Sequence, residues 1–253
     1  MTAQGDLLLR ARRLLEQDRV WCAYALADLE APFAEQTSWL VGEAALAMVF
    51  HGLTPPLLFV HGDPSEADAL VRSLPAGEYQ YALLGTHRSR IGRRLHSVRQ
   101  ARMWRMVLRE PAVAPEPPAP AERLGQPDLP ALAALFADHP DRPDSFDPGQ
   151  LAGGLFFGVR VAGQLVAVAG THVVGREAKV AAVGNVFTHP RYRRQGLAFR
   201  ASSAVVHALL ARGMATIVLN VAIDNGPALD LYHALGFWPF CGYYEGAGEI
   251  SAA

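Results

Sequence analysis

Apolar residues along this chain recur with two spacings, one helical and one extended. Leucines threaded through charged residues over 5–17 predict an amphipathic helix. Near-continuous apolar runs at 38–50 and 56–60 read as strands. Asp63-Pro64 is a start signal for a helix over 64–73, and a further apolar run covers 79–84. MWRMVL, residues 103–108, alternates sufficiently for a strand. Between these, HRSRIGRRLHSVR, residues 87–99, is strongly basic. It is either a solvated helix face or an edge that meets an anionic ligand.

The second half has a clearer pattern. DLPALAALFADH, 128–139, predicts a helix. Residues 156–174 predict two strands joined by a tight turn at Ala162-Gly163. A third strand covers 179–190 and is stopped by Pro190. The loop RYRRQG leads into a long amphipathic helix over about 197–212, ended at Gly213. ATIVLNVA, 215–222, has the short apolar pattern of a buried strand. A short helix over 226–235 ends at Gly236, and FWPFCGYY opens a last strand. The order is helix, hairpin, strand, helix, strand, helix, strand.

PAVAPEPPAPA, residues 111–121, holds five prolines and suits neither a regular helix nor an interior strand. As an extended linker it would reach roughly 30 Å at about 3.1 Å per residue. The expected organisation is therefore an N-terminal α+β domain over 1–110, the linker over 111–121, and a second domain over 122–253. About half of the 253 residues are hydrophobic, enough for a core in each half. The formal net charge of −1 argues against a general binder of nucleic acid or membrane surfaces, which needs a basic excess. Cys22 and Cys241 form no CxxC pair and suggest neither a disulfide framework nor a zinc site. No metal is expected. A reducing, cytoplasmic setting is the expectation, since the N-terminus lacks signal-peptide features and no apolar run is long enough to span a bilayer.

The chemistry concentrates between the third strand of the second half and its long helix. N–H groups at such a helix start lack internal partners and face outward, where the helix dipole favours an anion. Gly196 lets the backbone approach a phosphate, and Ala198 stays small. Arg191, Arg193, Arg194 and Arg200 add positive charge. The arrangement suits a pyrophosphate, although neither GxxxxGK[ST] nor GxGxxG is present. An ordinary basic loop before a helix remains the alternative on this segment alone. Asn225, before Gly226-Pro227, is a good helix cap. Tyr232, late on that helix, is either a packing residue or a functional one.

Taken together, the two segments resemble the GNAT acetyltransferase superfamily. Arg193-x-x-Gly196-x-Ala198 is similar to its acyl-CoA loop, and Asn225, Ala228, Leu231, Tyr232, Gly236 and Phe237 match its later N-x-x-A-x-x-L-Y-x-x-x-G-F pattern. Residues 185–198 look most like the FR47-like branch, and the resemblance covers about 122–253. It implies an α+β GNAT fold, with a mixed, splayed central sheet flanked by helices. It leaves open a degenerate GNAT-like half in the smaller N-terminal domain, where no second R-x-x-G-x-G occurs.

The resemblance also implies acetyl-CoA, or another acyl-CoA, as co-substrate, held by Val186, Phe187, Thr188, Arg193, Arg194, Gln195, Gly196, Leu197, Ala198, Asn225 and Ala228. The amine of a small molecule or amino acid would attack the thioester directly, with Tyr232 donating to the departing sulfur. Many family members carry a glutamate on the third strand; here that place falls at about Ala182. His172, Glu177, His189, His233 and a water chain remain candidates for the base. Candidate walls for the acceptor are the loop 139–150, Phe156-Phe157 and Tyr243-Tyr244-Glu245. A non-catalytic acyl-CoA sensor is the competing reading, and acylation of a protein N-terminus or lysine a third. The expected assembly is a monomer or homodimer.

Overall fold

The computed structural model describes residues 3–109, 121–137, 139, 141–143 and 146–251. Except for Ala121, the proline-rich segment lies outside the described residues. The chain forms two compact units that are not consecutive stretches of sequence. The first takes the residues up to Arg105, Asn220–Asp224 and those from Pro239 onward; the second takes Met106–Leu219 and Asn225–Trp238.

In the first unit, helix α1 (Ala3–Leu15) precedes the short α2 (Ala23–Ala27). Strands β1 (Thr37–Val41) and β2 (Ala45–Phe50) form an antiparallel hairpin where the sequence predicts one run. The break is fixed by Glu66, whose carboxylate accepts the N–H groups of Glu43 and Ala44, each at 2.7 Å. β3 (Leu57–Gly62), α3 (Pro64–Val71) and β4 (Gly77–Leu84) follow. Asp63 caps α3 by accepting from Ser65 and Glu66.

The basic run 87–99 does not form one helix face. It divides into α4 (Gly85–Ile91), ended at Gly92, and the start of β5 (Leu95–Leu108). Its polar side chains turn back onto their own unit: Arg88 donates to Gln100, and Tyr81 bonds with Ser97 at 2.9 Å. The unit's strands run in the order β1-β2-β3-β4-β11, the last being β11 (Phe237–Ile250), which pairs antiparallel with β4 from Tyr243 to Ile250. Its core includes Val60, Val71, Tyr81, Leu83 and Ile250. Arg105 is also buried there, its guanidinium 4.6 Å from the ring of Tyr24 and beside Trp21 and Tyr243.

In the second unit, β6 (Glu122–Arg123), α5 (Leu129–Phe136) and α6 (Gln150–Gly153) come first. Then come β7 (Phe156–Val161), β8 (Gln164–Gly175) and β9 (Val180–Thr188). α7 (Leu197–Ala211), β10 (Thr216–Ala222) and α8 (Gly226–Ala234) complete it. The strand order is β10-β9-β8-β7-β6; β9 and β10 are parallel and the other neighbours antiparallel. A mixed sheet flanked by helices results. α7 buries Leu197, Ala201, Val205 and Leu209, a four-residue spacing that keeps one face against the sheet. α5 packs Leu132, Leu135 and Phe136 with Phe156, Val168 and Phe187. Among the described residues no helix is long and apolar enough to cross a membrane.

Candidate functional site

β9 is irregular where the chemistry is expected. Its ladder with β10 runs only over Val180–Val183 against Thr216–Leu219, although β9 continues to Thr188. From Gly184 onward the β10-facing edge of β9 is therefore outside that ladder, where an extended ligand can pair with it. Its ladder with β8 also slips there. Gly170 pairs with Gly184 and Val168 with Phe187, so β9 carries one extra residue between them. Asn185, at φ +52°, lies in this bulge, and its side chain donates to Gln150 at 2.9 Å.

Three predicted contact residues lie just beyond. Phe187 is buried against Phe136, so only its backbone can serve a ligand, while Val186 and Thr188 are half-buried. After Thr188, His189 accepts the N–H of Arg191 on Nδ1 at 3.2 Å, closing a short turn over Pro190–Tyr192. Arg193 reaches back to the Thr188 carbonyl at 3.2 Å and pairs with Asp141 at 3.0 Å. Its guanidinium braces the loop, whereas Arg194 and Gln195 are exposed.

Gly196 is the N-cap of α7, with φ +72°, and no side chain caps the helix. A Cβ at this position would meet nothing within 4 Å, so the space in front of the turn is open. Among the described residues, no acceptor engages the N–H groups from Arg194 to Phe199; the first helical bond runs from Arg200 to the Gly196 carbonyl at 3.1 Å. Uncapped amides, the positive end of a 15-residue helix and nearby arginines are an arrangement suited to an anion. Leu197 is buried and anchors the helix; Ala198 is half-buried.

Asn225 caps α8, its side chain accepting the Ala228 N–H at 3.2 Å. The polar groups predicted here for ligand contact are thus bonded to each other. Tyr232 is only 8% exposed and packs edge-on against Phe237. Burial pushes its hydroxyl up to about 12, so it stays protonated and can donate.

Ala182 is fully buried, and β9 carries no acidic residue. Beside the strand end, a cavity of about 410 Å³ is lined by Ala133, Phe136, Ala137, Arg142, Pro143 and Phe146. This brings part of the expected loop wall together. Phe156 and Tyr243, in contrast, are buried packing residues; Tyr243 donates to Glu245 at 2.8 Å within the first unit. The sequence reading missed the β9 bulge, although an isolated glycine inside VAAVGNV signals such irregularity.

Residues 124–237 match the model of the Acetyltransferase (GNAT) family. This segment has the GNAT fold. An acetyltransferase of the GNAT family from Novosphingobium aromaticivorans superposes with a TM-score of 0.63 at 24% identity, covering 92% of this chain and 97% of its own. A tandem GNAT protein from the clavulanic acid biosynthesis pathway superposes with a TM-score of 0.62 at 15% identity, covering 99% of this chain and 97% of its own. The [ribosomal protein bS18]-alanine N-acetyltransferase of Escherichia coli is 39% identical over 75 residues, 30% of this chain. The chain spans about half the length of that curated relative (49%). The matched residues include the strand–turn–helix around Gly196 and the helix bearing Tyr232.

Proposed function

We propose that this protein is an acyl-CoA-dependent N-acetyltransferase that moves an acetyl or short acyl group to a primary amine of a small molecule or amino acid. The observation that carries the reading is the turn at Gly196, whose amides lack acceptors and in front of which a Cβ would meet nothing within 4 Å. These amides, with Arg194 and Gln195, would hold the pyrophosphate of acetyl-CoA. The unladdered edge of β9 around Val186 and Thr188 would pair with its pantetheine arm. A strand N–H there would polarise the thioester carbonyl, and Tyr232 would donate to the departing sulfur. The co-substrate supplies the activated acyl group; the protein supplies position, charge stabilisation and proton handling.

The acceptor reading is supported by the cavity beside Phe187, whose apolar lining fits an acceptor with an apolar body and whose single arginine suits a carboxylate such as that of an amino acid. A second reading, acetylation of a protein N-terminal alanine, is favoured by the partial likeness to the Escherichia coli enzyme. A non-catalytic acyl-CoA sensor is favoured only by the loss of the acid at Ala182. The loop segment 185–198 supports placement in the FR47-like branch. Likeness in fold to a tandem GNAT protein supports a degenerate GNAT-like origin for the N-terminal half.

The test is thiol release from acetyl-CoA with a panel of small amines, amino acids and an N-terminal-alanine peptide. Turnover that falls about 100-fold or more in Tyr232→Phe, with acetyl-CoA affinity kept, is expected. Binding of acetyl-CoA without turnover on any acceptor would instead establish the sensor.

A further inference from the structure

The ladder between β8 and β9 has a second irregularity. Thr171 pairs with Val183 and Val173 with Ala182, so β8 carries one extra residue, His172. A bulge of this kind redirects the side chain it frees, and bulges gather beside active sites for that reason. Here the redirected ring lands on the neighbouring strand. A Cβ on Gly184 would fall inside the imidazole of His172, upon Nε2, Cδ2 and Cε1. The missing side chain at Gly184 is therefore the space the ring occupies.

Its position is what gives it meaning. Ala182 and Gly184 are two residues apart on a strand and so share a face. An imidazole over Gly184 stands on the side to which a carboxylate at Ala182 would point. Val186, at the expected acyl end of the site, is the next residue but one. His172 is half-buried, which leaves the ring accessible.

His189 has its Nδ1 on the Arg191 N–H, His233 lies against Trp238, and Glu177 is exposed in the turn after β8. The elements packed on β8 carry few charges. α5, α6 and β9 have no titratable side chain; β7 has Arg160, paired with Glu122 and Asp128; α7 has Arg200 and His207.

We infer that His172 is the general base of the acyl transfer, a role that rests on the N-acetyltransferase reading above. The amine nitrogen bonds to the thioester carbonyl carbon and loses a proton to His172. The C–S bond breaks while the Tyr232 hydroxyl, staying protonated, donates a hydrogen bond to the departing sulfur. His172 passes its proton to solvent and the thiolate takes one from it, so one amide and one free thiol form with no other reactant.

The test follows kcat/KM against pH for wild type, His172→Gln and Gly184→Ala, using an amine that the acceptor panel shows to be turned over. Wild type should show an acidic limb in the range where histidines titrate, about pH 5–8. His172→Gln should lose about 100-fold and lack that limb, with acetyl-CoA affinity unchanged and partial rescue by added imidazole. Gly184→Ala, which fills the space of the ring, should reproduce the rate loss. His172→Gln with wild-type kcat/KM and an intact acidic limb would overturn the assignment. So would loss of rate together with acetyl-CoA affinity and no rescue, which marks a structural role. Wild type that turns over no amine refutes the enzyme reading itself, a failure visible before any variant is made.

Discussion

Replacing Gly196 with glutamate separates the fold from the anion site. The backbone at this position has φ +72°, which costs a side-chain-bearing residue roughly 1–2 kcal/mol. No steric penalty is added, because a Cβ there meets nothing within 4 Å. A carboxylate at a helix N-terminus returns about 0.3–1 kcal/mol. The folded protein should therefore lose no more than about 2 kcal/mol. Binding should change far more. At about 5 Å and an effective dielectric of about 20, a carboxylate repels each phosphate charge by about 3 kcal/mol. Two such charges weaken CoA by well over 100-fold, before any steric exclusion.

Titration calorimetry with CoA, paired with thermal denaturation, measures both quantities. Gly213→Glu is the control, since Gly213 has φ +74°, equally open surroundings and lies at the opposite end of α7. It should lose somewhat more stability, because a carboxylate there meets the negative end of the helix, and keep its CoA affinity. CoA affinity in Gly196→Glu within a few fold of wild type would show that the diphosphate lies elsewhere.

Other expectations are equally direct. Asn225→Ala removes the cap of α8 and should cost about 1 kcal/mol in chemical denaturation. Because Asn225 bonds Ala228 within the protein, CoA affinity should fall only as far as α8 frays. Asp28 is buried and its carboxyl is pushed from 3.8 up to about 8 by burial. Its folded form prefers the proton, so its contribution is fully present below the unfolded value and is lost as pH rises toward about 8. Asp28→Asn should remove that loss and raise stability at pH 8 by several kcal/mol, on the order of one per pH unit crossed. Equal pH slopes in the variant and wild type, read by urea midpoints from pH 4 to pH 8, would contradict it.

What was legible in the sequence was local. Gly196 and Gly213 bound α7 because each needs a left-handed backbone, and Asn225-Gly226-Pro227 is a start signal that needs no tertiary help. The hairpin inside 38–50 was not legible, since its break depends on Glu66 in another element. The basic run 87–99 hid a helix end because charge says little about whether chain after Gly92 continues as helix or strand. The commitment of Arg193 to Asp141 was equally invisible, being a contact across 52 residues. His172 was one of several histidines until the register of β8 against β9 singled it out.

The path of β11 has a consequence for how the protein comes into being. The first unit recruits residues from Pro239 onward, and β4 waits for Tyr243–Ile250 to cover its edge. During synthesis that edge stays bare until residues 243–250 have left the ribosome, although α1 to β4 emerged long before. A fragment ending in the proline-rich stretch would keep the bare edge permanently. Such a fragment should self-associate, and adding residues 239–251 as a peptide should suppress the association.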